Sequence, residues 1–272
     1  MTREPVLFVS HGAPTVALER GPYADALAGF GAAHPAPRAI AVVSAHWTAA
    51  GAVGITSAER HRLIYDFGGF PDALYALQYP APGAPDVAAR AARLLEAAGF
   101  STRLDPVRGL DHGAWIPLRL AWPEARVPVV QLALPDAPPE SLLRFGAALA
   151  PLRDDGVLLV ASGGLVHNLA RVRFGDPATD PWARAFDAWV AERVDLLDAA
   201  GLSRWRERPE APLAAPTSEH LDPVLVAVGA RAPEDRPATL YAGFQHGNLS
   251  MRSFALRAPA GVPPRSTKGE AP

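Results

Sequence analysis

Five short runs of uninterrupted apolar residues constrain this chain most: "PVLFVS" (5–10), "AIAVVSA" (39–45), "VPVVQLAL" (127–134), "GVLLVAS" (156–162) and "ATLYAGF" (238–244). A strand packed on one face alternates apolar and polar residues, whereas a strand covered on both faces reads as a continuous apolar run. The runs therefore predict sheet strands sandwiched between helices. Segments with helical spacing lie between them, at 84–100, 139–153 and 180–201, with Gly99 and Gly201 placed as C-caps of the first and last. Strands alternating with helices predict one α/β domain of three layers, α/β/α, over residues 1–257. The tail 258–272 has little to bury and is read as mobile.

Composition narrows the chemistry. A formal net charge of -2 and 20% charged residues give no electrostatic footprint for nucleic acid or an anionic membrane. The chain has no cysteine, so disulfides, thiolate metal sites and a cysteine nucleophile are excluded. No stretch approaches the length of an apolar membrane span, and the N-terminal "MTREPVLFVS" lacks a secretory pattern, so a cytoplasmic location is expected.

The eight histidines are placed unevenly. His11 follows the first apolar run in "FVSHG", His46 the second in "VVSAHW", and His167 the fourth in "VASGGLVHNL". In an open α/β sheet the carboxyl ends of neighbouring strands converge on one crevice, where ligands bind. Neutral imidazoles gathered there suit iron, zinc or a similar divalent ion. His220, in "PTSEHLDPVLVAVGA", falls just before a helix whose start is read at Asp222 and Pro223 and is a fourth candidate ligand, with the adjacent Glu219 as the carboxylate alternative to it. His112, in "GLDHGAWIPLRL", sits beside Trp115, where an imidazole suits proton transfer to an aromatic substrate. His34 and His61 are read as solvated. Two long connections, 59–82 and 202–219, carry aromatic residues expected to wall the site, including Tyr65 and Phe67 of "IYDFGGFP", with Asp66 between them, and Trp205 of the second.

The segments "SHG", "SAHW", "DFGGFP", "YPAPG", "DHGAW", "VASGGLVHNL", "TSEHLDP" and "GNLSM" occur in this order from residue 7 to about residue 254. Together they resemble the DODA-type extradiol aromatic ring-opening dioxygenases, relatives of the catalytic subunit of protocatechuate 4,5-dioxygenase. The resemblance implies a mixed, mostly parallel central sheet with a mononuclear metal at the strand ends. It implies that His11, His46 and His220 bind the metal, that His167 is a fourth ligand or the active-site base, and that His112 lines the substrate pocket; Tyr65, Asp66, Phe67 and Trp115 are the further pocket residues expected from the sequence. Protocatechuate-type enzymes complete their ligand set with a glutamate, which keeps Glu219 in view.

The implied reaction is cleavage of a catechol beside its two hydroxyls with O2, using Fe(II); zinc is the metal such a site also takes up. Candidate substrates are 3,4-dihydroxyphenylalanine, caffeate-like acids, protocatechuate and similar diols, with Arg103 or Arg108 as partners for a carboxylate. Two rivals use the same histidines: a zinc hydrolase, and a non-catalytic protein that binds metal or aromatic ligands. Oligomeric state is not readable from these patterns.

Overall fold

The computed structural model describes residues 3–34 and 37–259. Its strands are β1 (Val6–Ser10), β2 (Ala39–Ala49), β3 (Val53–Thr56), β4 (Thr102–Asp105), β5 (Val129–Pro135), β6 (Val157–Gly163), β7 (Arg236–Tyr241), β8 (Phe244–Gln245), β9 (Leu249–Ser250) and β10 (Ser253–Arg257). Eight form one sheet in the order β4-β3-β5-β2-β6-β1-β10-β7, while β8 and β9 make a small separate ribbon. The central strands β5, β2, β6 and β1 run parallel. β3 lies antiparallel to β5, and β10 lies antiparallel to both β1 and β7, so the sheet is mixed.

Six longer helices cover the sheet: α1 (Pro22–Ala33), α2 (Pro85–Ala97), α3 (His112–Ala121), α4 (Pro139–Leu149), α5 (Pro181–Asp195) and α6 (Asp222–Gly229). Successive residues of each central strand enter opposite cores, as the pleat requires. Ala41 and Val43 join one apolar cluster with α2, α4, α5 and α6, whereas Ile40 and Val42 join a second with α1 and α3. The first four apolar runs are thus strands buried on both faces, whereas the fifth forms the edge strand β7, which stays partly exposed and ends at Tyr241. Among the described residues no helix is long and apolar enough to cross a membrane.

Several local expectations change. The second strand does not stop at Ala45. It continues to Ala49, with its register against β5 jumping from Ser44 opposite Ala133 to Thr48 opposite Leu134. The helix expected over 139–153 breaks at Ala150 because Pro151 cannot donate the next backbone hydrogen bond. The segment 180–201 breaks at Leu197, which adopts φ 53°. Gly99 does cap α2 with a positive φ, but Gly201 lies inside a short helix, Ala199–Ser203, where its N–H donates to Asp198. Helix α6 includes Asp222 and begins after Leu221, one residue earlier than read. Of the tail expected to be mobile, residues 260–272 lie outside the described residues.

Candidate metal centre

Strand β1 ends at Ser10 and delivers His11, whose N–H continues the parallel ladder by donating to Gly163 O. His46 occupies the bulge of β2, where Ala45, His46 and Trp47 have no paired residues on β5. A bulge re-aims a side chain without ending the strand. His220 arrives from the turn before α6, and its carbonyl accepts from Gly164 N–H just past β6 at 2.7 Å. The outcome is convergence of three imidazoles. His46 Nε2 lies 3.1 Å from His11 Nε2 and 3.3 Å from His220 Nε2.

The Nδ1 atoms explain why the Nε2 atoms face inward as acceptors. Pro117 has no N–H to give the Gly113 carbonyl one helical turn back, so that oxygen accepts from Ser162 Oγ at 2.5 Å instead. With its proton committed there, Ser162 Oγ accepts from His11 Nδ1–H at 3.0 Å. His220 Nδ1–H donates to Glu219 Oε1 at 3.0 Å, and His46 Nδ1 lies 3.3 Å from Asp66 Oδ2. With His11 and His220 donating from their outer nitrogens, their Nε2 lone pairs turn to the common point, and Asp66 stands beside the outer nitrogen of His46. Outer partners of this kind fix tautomer and orientation in metal-binding histidines.

Electrostatics agree with neutral rings. Burial, reinforced by neighbouring imidazoles, pushes His46 down to about 2 and His167 to about 3, and lowers His11 as well. The bond from His220 holds Glu219 down at about 2. Burial opposes ionisation of Asp66, but the bonds from His112 outweigh it and leave this carboxyl at about 2. Neutral imidazoles with outer carboxylates form a donor set that fits a borderline divalent ion, and His11, His46 and His220 form a group able to hold one.

Two glycines permit the close approach. A Cβ on Gly113 would stand 2.5 Å from Ser44 Oγ and 2.9 Å from His46 Cδ2, and one on Gly163 would stand 2.1 Å from His220 O. The first turn of α3 therefore seats directly against the histidines. Asp111, buried, caps that helix by accepting from Ala114 N–H and also accepts from Ser44 Oγ at 2.7 Å. His112 follows it, with its ring centroid 4.0 Å from that of His46, and both its N–H and Nδ1–H donate to Asp66 Oδ1.

His167 takes another position. Its ring stacks on His220 at 3.5 Å and 5°, and neither of its ring nitrogens has a hydrogen-bond partner among the described residues. Phe67 meets the His112 ring edge-on at 5.5 Å, and Tyr65 adjoins Phe67 and donates to Leu77 O. Trp115, expected on the pocket wall, is wholly buried in the core and only backs Tyr65 at 5.7 Å. Trp205 is also core. His61 and His34 are tied rather than solvated: His61 Nε2–H donates to Val129 O, and His34 Nδ1–H donates to Phe30 O. Arg108 stacks over Trp47 at 4.3 Å beside an open cavity of about 510 Å³ that Arg62 and Arg103 also line.

Sequence reading missed Ser162 and Asp111 and left Glu219 as a rival ligand. The Asp-before-apolar-run signal in "LDHGAWIPL" marks Asp111 as an N-cap. Nothing local marks Ser162, because its role depends on Pro117 in a different element.

The sequence profile described as the catalytic LigB subunit of aromatic ring-opening dioxygenase matches residues 5–247. The chain belongs to this family. As a LigB-family member it is a ring-cleaving dioxygenase of the extradiol class, metal-dependent, acting on an aromatic compound with O2. It is 40% identical to a 4,5-DOPA dioxygenase extradiol of Escherichia coli (strain K12), over 94% of this chain and 95% of that protein. It is 36% identical to a 4,5-DOPA dioxygenase extradiol of Beta vulgaris, over 91% and 94%. The crystal structure of an uncharacterized protein from Escherichia coli K12 superimposes with a TM-score of 0.80 at 36% identity, covering 93% of this chain and 99% of that one. This solved neighbour thus shares the fold.

Proposed function

We propose that the domain over residues 1–257 opens the ring of a 3,4-dihydroxyphenyl compound beside its two hydroxyls, at a ferrous centre held by His11, His46 and His220. The observation that carries this reading is the convergence of three Nε2 acceptors whose Nδ1 atoms all face outer partners. Glu219 then orients His220 rather than ligating. When bound, ferrous iron supplies electron transfer toward O2 and a positive charge that acidifies the diol hydroxyls.

The chain's own groups handle binding and protons. His167 stands outside the converging triad, is kept neutral by burial, and has free ring nitrogens, which suits it to accept a diol proton and return it. His112 Nδ1–H donates to Asp66, which leaves its Nε2 as the nitrogen available to a substrate. Phe67 and Tyr65 supply an aromatic wall. The substrate class follows from the relatives named 4,5-DOPA dioxygenase extradiol together with this wall.

The test is oxygen uptake after anaerobic Fe(II) loading, with a panel of catechols, a zinc-loaded control and the His46→Ala variant. Uptake with a ring-opened chromophore, absent from both controls, is expected. No uptake with any catechol despite a filled iron site overturns the proposal.

A further inference from the structure

Asp66 has polar contacts to both a ring of the converging triad and the pocket histidine. It stands on the connection between β3 and α2, away from the strand ends that deliver the other groups. Its two oxygens are used differently. Oδ1 accepts twice from His112, from the backbone N–H at 3.0 Å and from Nδ1–H at 2.9 Å. Oδ2 faces His46 Nδ1 at 3.3 Å. The two rings it serves are themselves adjacent, 4.0 Å between centroids.

We propose that Asp66 is a positioning residue that sets the tautomers of His46 and His112 together, so that one carboxylate aligns a metal-binding nitrogen and a substrate-facing nitrogen. This inference rests on the reading of His46 as a ligand. The physical requirement is an acceptor at both oxygens. A carboxylate accepts on every side, whereas an amide of the same shape carries one acceptor and one donor. In Asp66→Asn the carbonyl oxygen stays with His112, where two N–H groups need it, and the NH2 turns toward His46. His46 Nδ1 must then accept, its proton moves to Nε2, and that nitrogen no longer offers a lone pair to the ion. Loss of an outer partner of a metal-binding histidine typically costs about 10- to 100-fold in metal affinity.

The probe is Zn(II) alone, titrated against a chelator into the full-length metal-free protein, with imidazole 15N spectra recorded on the same samples. In Asp66→Asn, zinc affinity falls about 10- to 100-fold, while His112 keeps its Nδ1–H signature and His46 shifts toward Nε2–H. Asp66→Ala loses the tautomer preference at both rings. A residue that only staples its loop leaves both ring signatures and zinc affinity at wild-type values in Asp66→Asn, and that result overturns the proposal. His46→Ala separates the two readings. If that variant binds zinc like the wild type, the ligand assignment fails. If it loses zinc while Asp66→Asn binds normally, the ligand assignment stands and the role given to Asp66 is wrong.

Discussion

At the residue scale, the five clustered histidines divide by what their outer nitrogens meet. His11, His46 and His220 each turn Nδ1 to an oxygen, from Ser162, Asp66 and Glu219 respectively, whereas His167 has no such tether. His112 is also tethered, to Asp66, but stands outside the converging triad; under the proposed reading the tethered triad rings are the fixed ligands, and His167, untethered among the described residues, is free to take up and release a proton. His167→Ala is therefore expected to keep its metal content while kcat falls about 10²- to 10⁴-fold, the usual worth of general acid–base assistance. Metal analysis beside steady-state kinetics checks this, and loss of the ion in His167→Ala makes His167 a ligand instead. The histidines were legible as strand-end groups because runs such as "LFVSHG" announce both strand and terminus. Their tethers were not, since Ser162 lies 151 residues from His11 and no spacing rule connects them.

At the element scale, α3 shows how a local irregularity becomes part of a site. Pro117 inside the helix leaves the Gly113 carbonyl free, and that oxygen orients Ser162 toward His11. Ser162→Ala removes the acceptor for His11 Nδ1–H while leaving the strand pairing of β6 intact. Metal affinity is expected to fall about 10- to 100-fold with little change in the unfolding midpoint of the metal-free protein. Equal affinity in Ser162→Ala and wild type rules out that tether. Strands β1, β2, β5, β6 and β7 were legible as apolar runs, but β3, β4 and β10 were not. β3 and β4 have four residues each, with a glycine in "VGIT" and two charged residues in "TRLD", too few to establish a period. The bulge in β2 was hidden because "AHWTA" carries the polar residues that usually end a strand, and only the renewed pairing with β5 reveals the continuation.

At the scale of the whole molecule, continuous apolar runs fixed the layering because each central strand feeds two cores. The same burial makes the metal-free protein sensitive to acid. His46 and His167 are depressed to about 2 and about 3, against about 6.5 for the unfolded chain, so between these values the unfolded state binds more protons. Stability therefore rises with pH through this window and is lost as pH falls below about 6.5. Urea midpoints of metal-free protein at pH 7.5 and 5 are expected to differ in that direction, and a midpoint that rises on acidification contradicts the burial of neutral rings. The triad is assembled from distant stretches of chain: 35 residues separate His11 from His46, and 174 separate His46 from His220. No early hairpin or local helix pair can bring such partners together, because closure over such distances comes with the completed topology. During synthesis, β1 and β2 leave the ribosome long before the segment that completes the pocket, so the nascent chain has no chelating trio to offer. If these three histidines are the ligands, as proposed, metal capture is a late event, and an ion bound at full affinity certifies a chain that has finished folding.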